Sequence, residues 1–189
     1  MNKLWLAIGF LTIASLAFVT GCGPRWQIVK QANPNPMVAD SKFFVEKPDF
    51  ESARVGGKSD AEYTAGKNPE QQTSWAADKA AFMEEYGNGY TDARENVGVA
   101  SAAGEGFVVK SHVTWIEPGF YAAVAARPTE VKMTVQVLDK AGVVQDEFLI
   151  RSAIQATLTN PSTGGRLRDA GKDLGRVVAK YMRKRTGQD

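Results

Sequence analysis

Side chains suited to covalent or metal chemistry are scarce in this sequence, which holds one cysteine, Cys22, and one histidine, His112. A zinc centre needs several Cys, His or carboxylate ligands, and cysteine nucleophiles need an adjacent base. With His112 among the outward positions of a candidate strand, neither a His/Cys metal cluster nor Cys-His catalysis is expected. Glycoside hydrolysis would need two carboxyl groups that converge. The adjacent pairs diverge instead: Glu84 and Glu85 are neighbours on a helix, and Asp146 and Glu147 point to opposite sides of a strand. Asp146 falls on the apolar side near a hairpin, which predicts an edge position. Gly98 to Gly106 lacks the lysine of a phosphate loop, and Gly164-Gly165 reads as a helix cap whose amides could hold an anion. No catalytic residue, metal ligand or cofactor is assigned, and the chain is expected not to be an enzyme.

Cys22 is explained by what precedes it. Lys3, the apolar or small run from Leu4 to Val19, and the small residues at its exit form the three parts of a secretory signal. The run is shorter than the roughly 20 apolar residues of a spanning helix and ends in Thr-Gly-Cys-Gly-Pro, not in a basic cluster. Val19-Thr20-Gly21-Cys22 resembles the lipobox of bacterial lipoproteins over all four positions: aliphatic, small, glycine, cysteine. That resemblance implies cleavage between Gly21 and Cys22, a thioether-linked diacylglycerol on Cys22, and acylation of its new amino group with a chain such as palmitate. Two or three long chains hold far more firmly than the marginal binding of one. In that family an aspartate after the cysteine retains the protein in the inner membrane, whereas here Gly23 and Pro24 follow. The implied address is the outer membrane, facing the periplasm, in a host that has one.

Removing the 21-residue signal from 189 residues leaves 168, enough for a single domain with its own core. Lys3 is the only charge lost, so 22 basic side chains face 21 acidic ones. That balance predicts no nucleic-acid partner. No cysteine pair exists for an internal disulfide. Residues 22–25 are expected as the anchor and tether, and 26–189 as one α+β domain.

Period and breakers outline the elements. Trp26 to Lys30 and Lys42 to Glu46 are strand candidates, separated by Asn33-Pro34-Asn35-Pro36. Residues 51–72 are polar and aperiodic, which predicts a long flexible surface loop. From Ser74, a plausible N-cap, Trp75, Phe82, Met83, Tyr86, Tyr90 and Ala93 share one helical face, with Lys79 near its middle. Gly87 and Gly89 could end that helix early.

After Gly106 the period falls to two. Phe107, Val109, Ser111, Val113 and Trp115 alternate with Val108, Lys110, His112, Thr114 and Ile116. Pro118-Gly119 closes this strand. Phe120 to Arg127 is small and apolar and is not assigned. Val131, Met133, Val135 and Val137 mark the next strand, and Asp139 to Gly142 a hairpin loop. The return strand runs from Val143 towards Leu158, with Phe148, Ile150, Ile154 and Leu158 on one face. A closing helix follows the Asn160 to Gly165 cluster, with Leu167, Ala170, Leu174, Val177, Val178 and Tyr181 recurring at helical steps.

These elements predict an α+β two-layer sandwich, an antiparallel sheet with two helices packed on one face. From the first helix onward, over about two thirds of the chain, their order resembles small periplasmic domains of envelope-assembly lipoproteins. The resemblance implies an assembly or accessory component that contacts another envelope protein. A binding module for a small ligand, lipid or peptidoglycan fragment is the alternative. The one candidate surface patch is the basic stripe of the last helix, Arg168, Lys172, Arg176, Lys180 and Arg183, a solvated face or a site for anionic lipid or an acidic protein.

Overall fold

Period-two alternation builds the centre of the molecule, which is a computed structural model describing residues 25–122 and 124–188. The signal segment and the cleavage and lipidation positions Gly21 and Cys22 lie outside the described residues. Three long strands form an antiparallel meander: β6 (Phe107–Glu117), β9 (Thr129–Leu138) and β10 (Val144–Ile154). The first strand, β1 (Trp26–Gln31), pairs antiparallel with β10 and forms one edge of the sheet. At the other edge β2 (Lys42–Val45) pairs parallel with β6.

The expected sheet was antiparallel throughout, and this edge departs from it. Residues 42–56 run along β6 as one interrupted parallel edge, through β2, a bridge from Asp49 to His112, and β3 (Arg54–Val55). The chain then crosses the sheet through a helical connection before it enters β6, and such crossovers make neighbouring strands parallel.

Residues 51–72, expected as a flexible loop, are largely structured. They contain β3, β4 (Lys58–Ser59), α1 (Asp60–Ala65) and the start of α2 (Pro69–Ala93). Two capping boxes explain the order: Ser59 with Glu62, and Asn68 with Gln71, each satisfy amides at a helix start. The N-cap of α2 is thus Asn68, not Ser74. Pro69 at its first position is pre-set for the helix and lacks only an amide that would be unpaired anyway.

Gly87 and Gly89 do not end α2. Gly89 lies where α2 crosses α3 (Thr163–Thr186), and a Cβ there would stand 2.0 Å from the carbonyl oxygen of Lys172. One on Gly175 would stand 2.1 Å from that of Tyr86. The glycines permit backbone contact between the helices, which outweighs their helix-propensity cost of about 1 kcal/mol each.

Both helices cover one face of the sheet. Phe82, Tyr86, Val109, Val113, Met133, Val135, Leu174 and Val178 fill the interface, none more than 1% exposed. A bulge between Val113 and Trp115 shifts the expected alternation of β6, so that Ile116 is buried and Trp115 half-buried. Leu158, expected on the inner face of β10, lies beyond that strand and is 80% exposed. The unassigned stretch after Gly119 is a separate two-stranded hairpin, β7 (Phe120–Ala122) and β8 (Ala125–Arg127). The last short strand, β5 (Gly98–Val99), pairs with β2.

Candidate interaction surfaces

The predicted basic stripe does lie along α3, but it forms a seam with acidic side chains. Lys172 and Arg176 stand 3.3 and 3.9 Å from Asp92, and Arg183 pairs with Glu95. Arg168 faces Asp78, whose carboxyl group is nevertheless pushed up by burial. Pairs this exposed contribute about 0–1 kcal/mol each. The start of α3, read as a helix cap whose amides could hold an anion, is occupied from within. A Cβ on Gly164 would lie 2.1 Å from Oδ1 of Asp78, so that carboxylate already stands over the first turn.

Asp146 is not at an edge. Because β1 pairs with β10, Asp146 is enclosed and has no solvent exposure. Its carboxylate accepts from Tyr181 Oη at 2.7 Å, Arg185 Nε at 2.7 Å and the Ala32 amide at 2.9 Å. It joins β1, β10 and the end of α3, and burial beside it pushes the Tyr181 hydroxyl up. Every acceptor atom is used in holding the fold, which leaves Asp146 poorly placed for acid or base chemistry.

His112 stands half-exposed on the sheet face opposite the helices, with Nδ1 2.6 Å from Asp49 Oδ2. Lys79, the cation within the apolar arc of α2, pairs with Asp60, which also accepts from Trp75 Nε1 at 2.7 Å. Among the described residues no group of three or more His, Cys, Asp or Glu side chains is placed to hold a metal ion. Among them too, no helix is long and apolar enough to cross a membrane.

Three surfaces remain. The sheet face without helices carries Lys110, His112, Lys132, Thr134, Leu149 and Arg151, and an open depression of about 750 Å³ lies at its Lys132 and Arg151 end. Lys132 and Arg151 are directly opposed on neighbouring strands and share Glu130, at 3.5 and 4.0 Å. A cleft of about 240 Å³ lies between α2 and β2, lined by Phe44, Val45, Met83, Tyr90 and Arg94. The Tyr90 hydroxyl is buried without a hydrogen-bond partner among the described residues, and desolvation pushes its pKa up to about 12.

The third surface is the β7–β8 hairpin, which sequence reasoning left unassigned. Phe120 is 49% and Val124 98% exposed, and Ala122, Ala125 and Ala126 are exposed as well. The signal was present in the sequence: no charged side chain occurs from Phe120 to Ala126, and the Tyr121 hydroxyl is its one polar side-chain group.

Its base is densely hydrogen-bonded. Arg166 of α3, fully buried, donates from Nε to Thr129 Oγ1 at 2.8 Å and from Nη2 to the Pro118 carbonyl at 3.2 Å. Its Nη1 donates to the carbonyls of Asn160 and Pro161 at 3.2 and 2.5 Å. Thr129 and Thr163 both donate to the Pro118 carbonyl, at 2.6 and 3.3 Å. Burial pulls the pKa of the guanidinium down, and an arginine still remains charged at neutral pH. Gly119 completes the base at φ +62°, with Arg127 and Pro128 carbonyl oxygens 2.4 Å from where a Cβ would be.

No protein-family model matches the chain, and no curated protein matches it. Among solved structures, it is similar to the PelC dodecamer from Paraburkholderia phytofirmans. The TM-score is 0.39 at 12% identity, over 82% of this chain and 97% of that one. A single-substitution variant of that dodecamer gives a TM-score of 0.41 at 13% identity, over 81% and 97%. Likenesses this distant carry no functional argument.

Proposed function

We propose that the chain is a non-enzymatic, lipid-anchored protein of the cell envelope, acting as an assembly or accessory component through contacts with another envelope protein. In a host with an outer membrane it sits there, facing the periplasm. The observation that carries this reading is the closeness of the lipobox cysteine to the folded domain. Only Gly23 and Pro24 separate Cys22 from Arg25, whose guanidinium donates to both carboxylate oxygens of Asp173 at 2.6 and 2.5 Å. Three residue steps reach at most about 10 Å, so a lipid on Cys22 holds the domain close to the bilayer. The non-catalytic part of the proposal draws on the commitment of Asp146, Asp60 and Asp78 to internal contacts.

The helix-free sheet face is the surface offered to a protein partner, since it combines Leu149 with Lys110 and His112 on a rigid support. The Tyr90 cleft favours the second reading, a small-ligand module, but its 240 Å³ falls below the roughly 300 to 1,000 Å³ of ordinary ligand pockets. The mature protein is expected to begin at Cys22 with a mass increased by its acyl groups. Cys22→Ser is expected to stay unprocessed and unacylated. If Cys22→Ser is still cleaved at this position and still resists a high-salt wash of membranes, lipidation there is not the anchor. Crosslinking in native membranes should recover one defined partner, and a domain that stays partnerless contradicts the accessory role.

A further inference from the structure

The lipid anchor does not account for the apolar hairpin, and strand register places the two together. Trp26 pairs with Ile150 and Gln27 with Leu149, so the chain preceding β1 enters from the end of the sheet where β10 finishes. That is also the end where β6 finishes, β9 begins and the β7–β8 hairpin projects, since Thr129 pairs with Ile154 and Glu117 with Glu130. Leu158, 80% exposed, lies on the loop whose Asn160 and Pro161 carbonyls bind Arg166 at the hairpin base. Arg25, Arg127, Lys132 and Arg151 stand at this same end, each at least half exposed.

We infer that this end of the domain rests on the bilayer, with Phe120 and Val124 of the hairpin in the headgroup and acyl boundary and the four cations over anionic headgroups. The occupant is lipid because three observations agree. The chain leading to Cys22 leaves from this end, the exposed apolar residues lie at hairpin tip and neighbouring loop, and the four cations around them outnumber the three carboxylates, Asp173, Glu117 and Glu130, with which they pair. Surface association of this kind scales with buried apolar area and with attraction to anionic lipid. Exposed apolar patches mark protein or membrane contacts, and here a buried arginine, two threonines and a left-handed glycine fix the hairpin at its base. The inference rests on the lipid-anchor reading only for the tether, because the hairpin, Leu158 and the cations belong to the fold.

The test uses full-length mature protein reconstituted in phosphatidylethanolamine vesicles with about one third phosphatidylglycerol. Two variants, Val124→Cys and Ala141→Cys, carry an environment-sensitive fluorophore at opposite ends of β9. The fluorophore at 124 should shift to the blue and be quenched severalfold by nitroxide-labelled lipid, while the one at 141 stays in water. A water-like spectrum at 124 overturns the inference. So does a blue shift that nitroxide lipid leaves unquenched, which would mark burial against protein. A Phe120→Ser and Leu158→Ser double variant should weaken quenching at 124 while circular dichroism stays unchanged. The mass of the mature N-terminus is read on the same sample. An unmodified Cys22 with quenching at 124 would remove the anchor and leave this contact standing, and an acylated Cys22 without quenching would do the reverse.

Discussion

Strand β9 carries a hairpin at each end, and the two are built on opposite principles. At its C-terminal end the Asp139–Gly142 turn is polar and self-contained. The Asp139 carboxylate accepts from the amides of Ala141 and Val143, both at 2.9 Å, and from the Gln145 side chain at 2.8 Å. At its N-terminal end the β7–β8 hairpin is apolar where it meets solvent, and its polar contacts are gathered at its base around Arg166. The polar turn satisfies its backbone locally and needs nothing beyond the chain. The apolar hairpin is held out by a buried network yet leaves its own side chains uncovered, so the fold alone does not explain its composition.

The largest expected effect comes from Arg166→Met. It keeps much of the volume but leaves Thr129 Oγ1 and the carbonyls of Asn160 and Pro161 without the donor Arg166 supplies. A loss of about 3 kcal/mol in urea unfolding is expected. A loss below about 1 kcal/mol would show that the base does not depend on this side chain.

The glycines give a sharper contrast. Gly119→Ala places a Cβ against two carbonyl oxygens at positive φ, whereas the Cβ of Gly142→Ala, at φ +80°, meets open space. Costs of about 2 to 3 and about 1 kcal/mol are expected. Equal effects would mean that the hairpin base yields.

Asp139→Asn tests the polar turn through pH. The turn amides and Gln145 hold the Asp139 carboxyl below its ordinary value. Its folded-state pKa is thus lower than its unfolded one, so its contribution is present above about pH 4 and lost as pH falls through the folded value. The variant should unfold with a smaller decline between pH 5 and pH 2 than the parent. An unchanged acid limb would show that the turn bonds do not discriminate the charged form.

The smallest effect belongs to the Phe120→Ser and Val124→Ser double variant. These exposed side chains support no core, and unfolding in solution should change by no more than about 0.5 kcal/mol. A large loss would mean that the hairpin packs on its own domain.

Much of this architecture was legible from period alone. The meander, the closing helix and the α+β layering follow from residues 107–158 and 163–186, because each strand has one buried and one open face. Pairing at a distance was not legible. Asp146 reads as an edge residue until β1, more than a hundred positions earlier, is seen to cover it. Gly89 reads as a helix breaker until α3 crosses it. Residues 51–72 read as loop because short helices fixed by capping boxes carry little hydrophobic period. The basic stripe of α3 was visible, but its pairing with Asp92 and Glu95 depends on the crossing of α2 and α3. The apolar hairpin was visible as composition and became a candidate surface only when the register placed it beside the entry of the chain.

The most direct measurement is amide hydrogen exchange on the mature full-length protein in vesicles and in lipid-free detergent, compared across the two hairpins. Membrane contact predicts slowed exchange at residues 120–127 in vesicles and no change at 139–143. Equal exchange of both hairpins in the two conditions would contradict it.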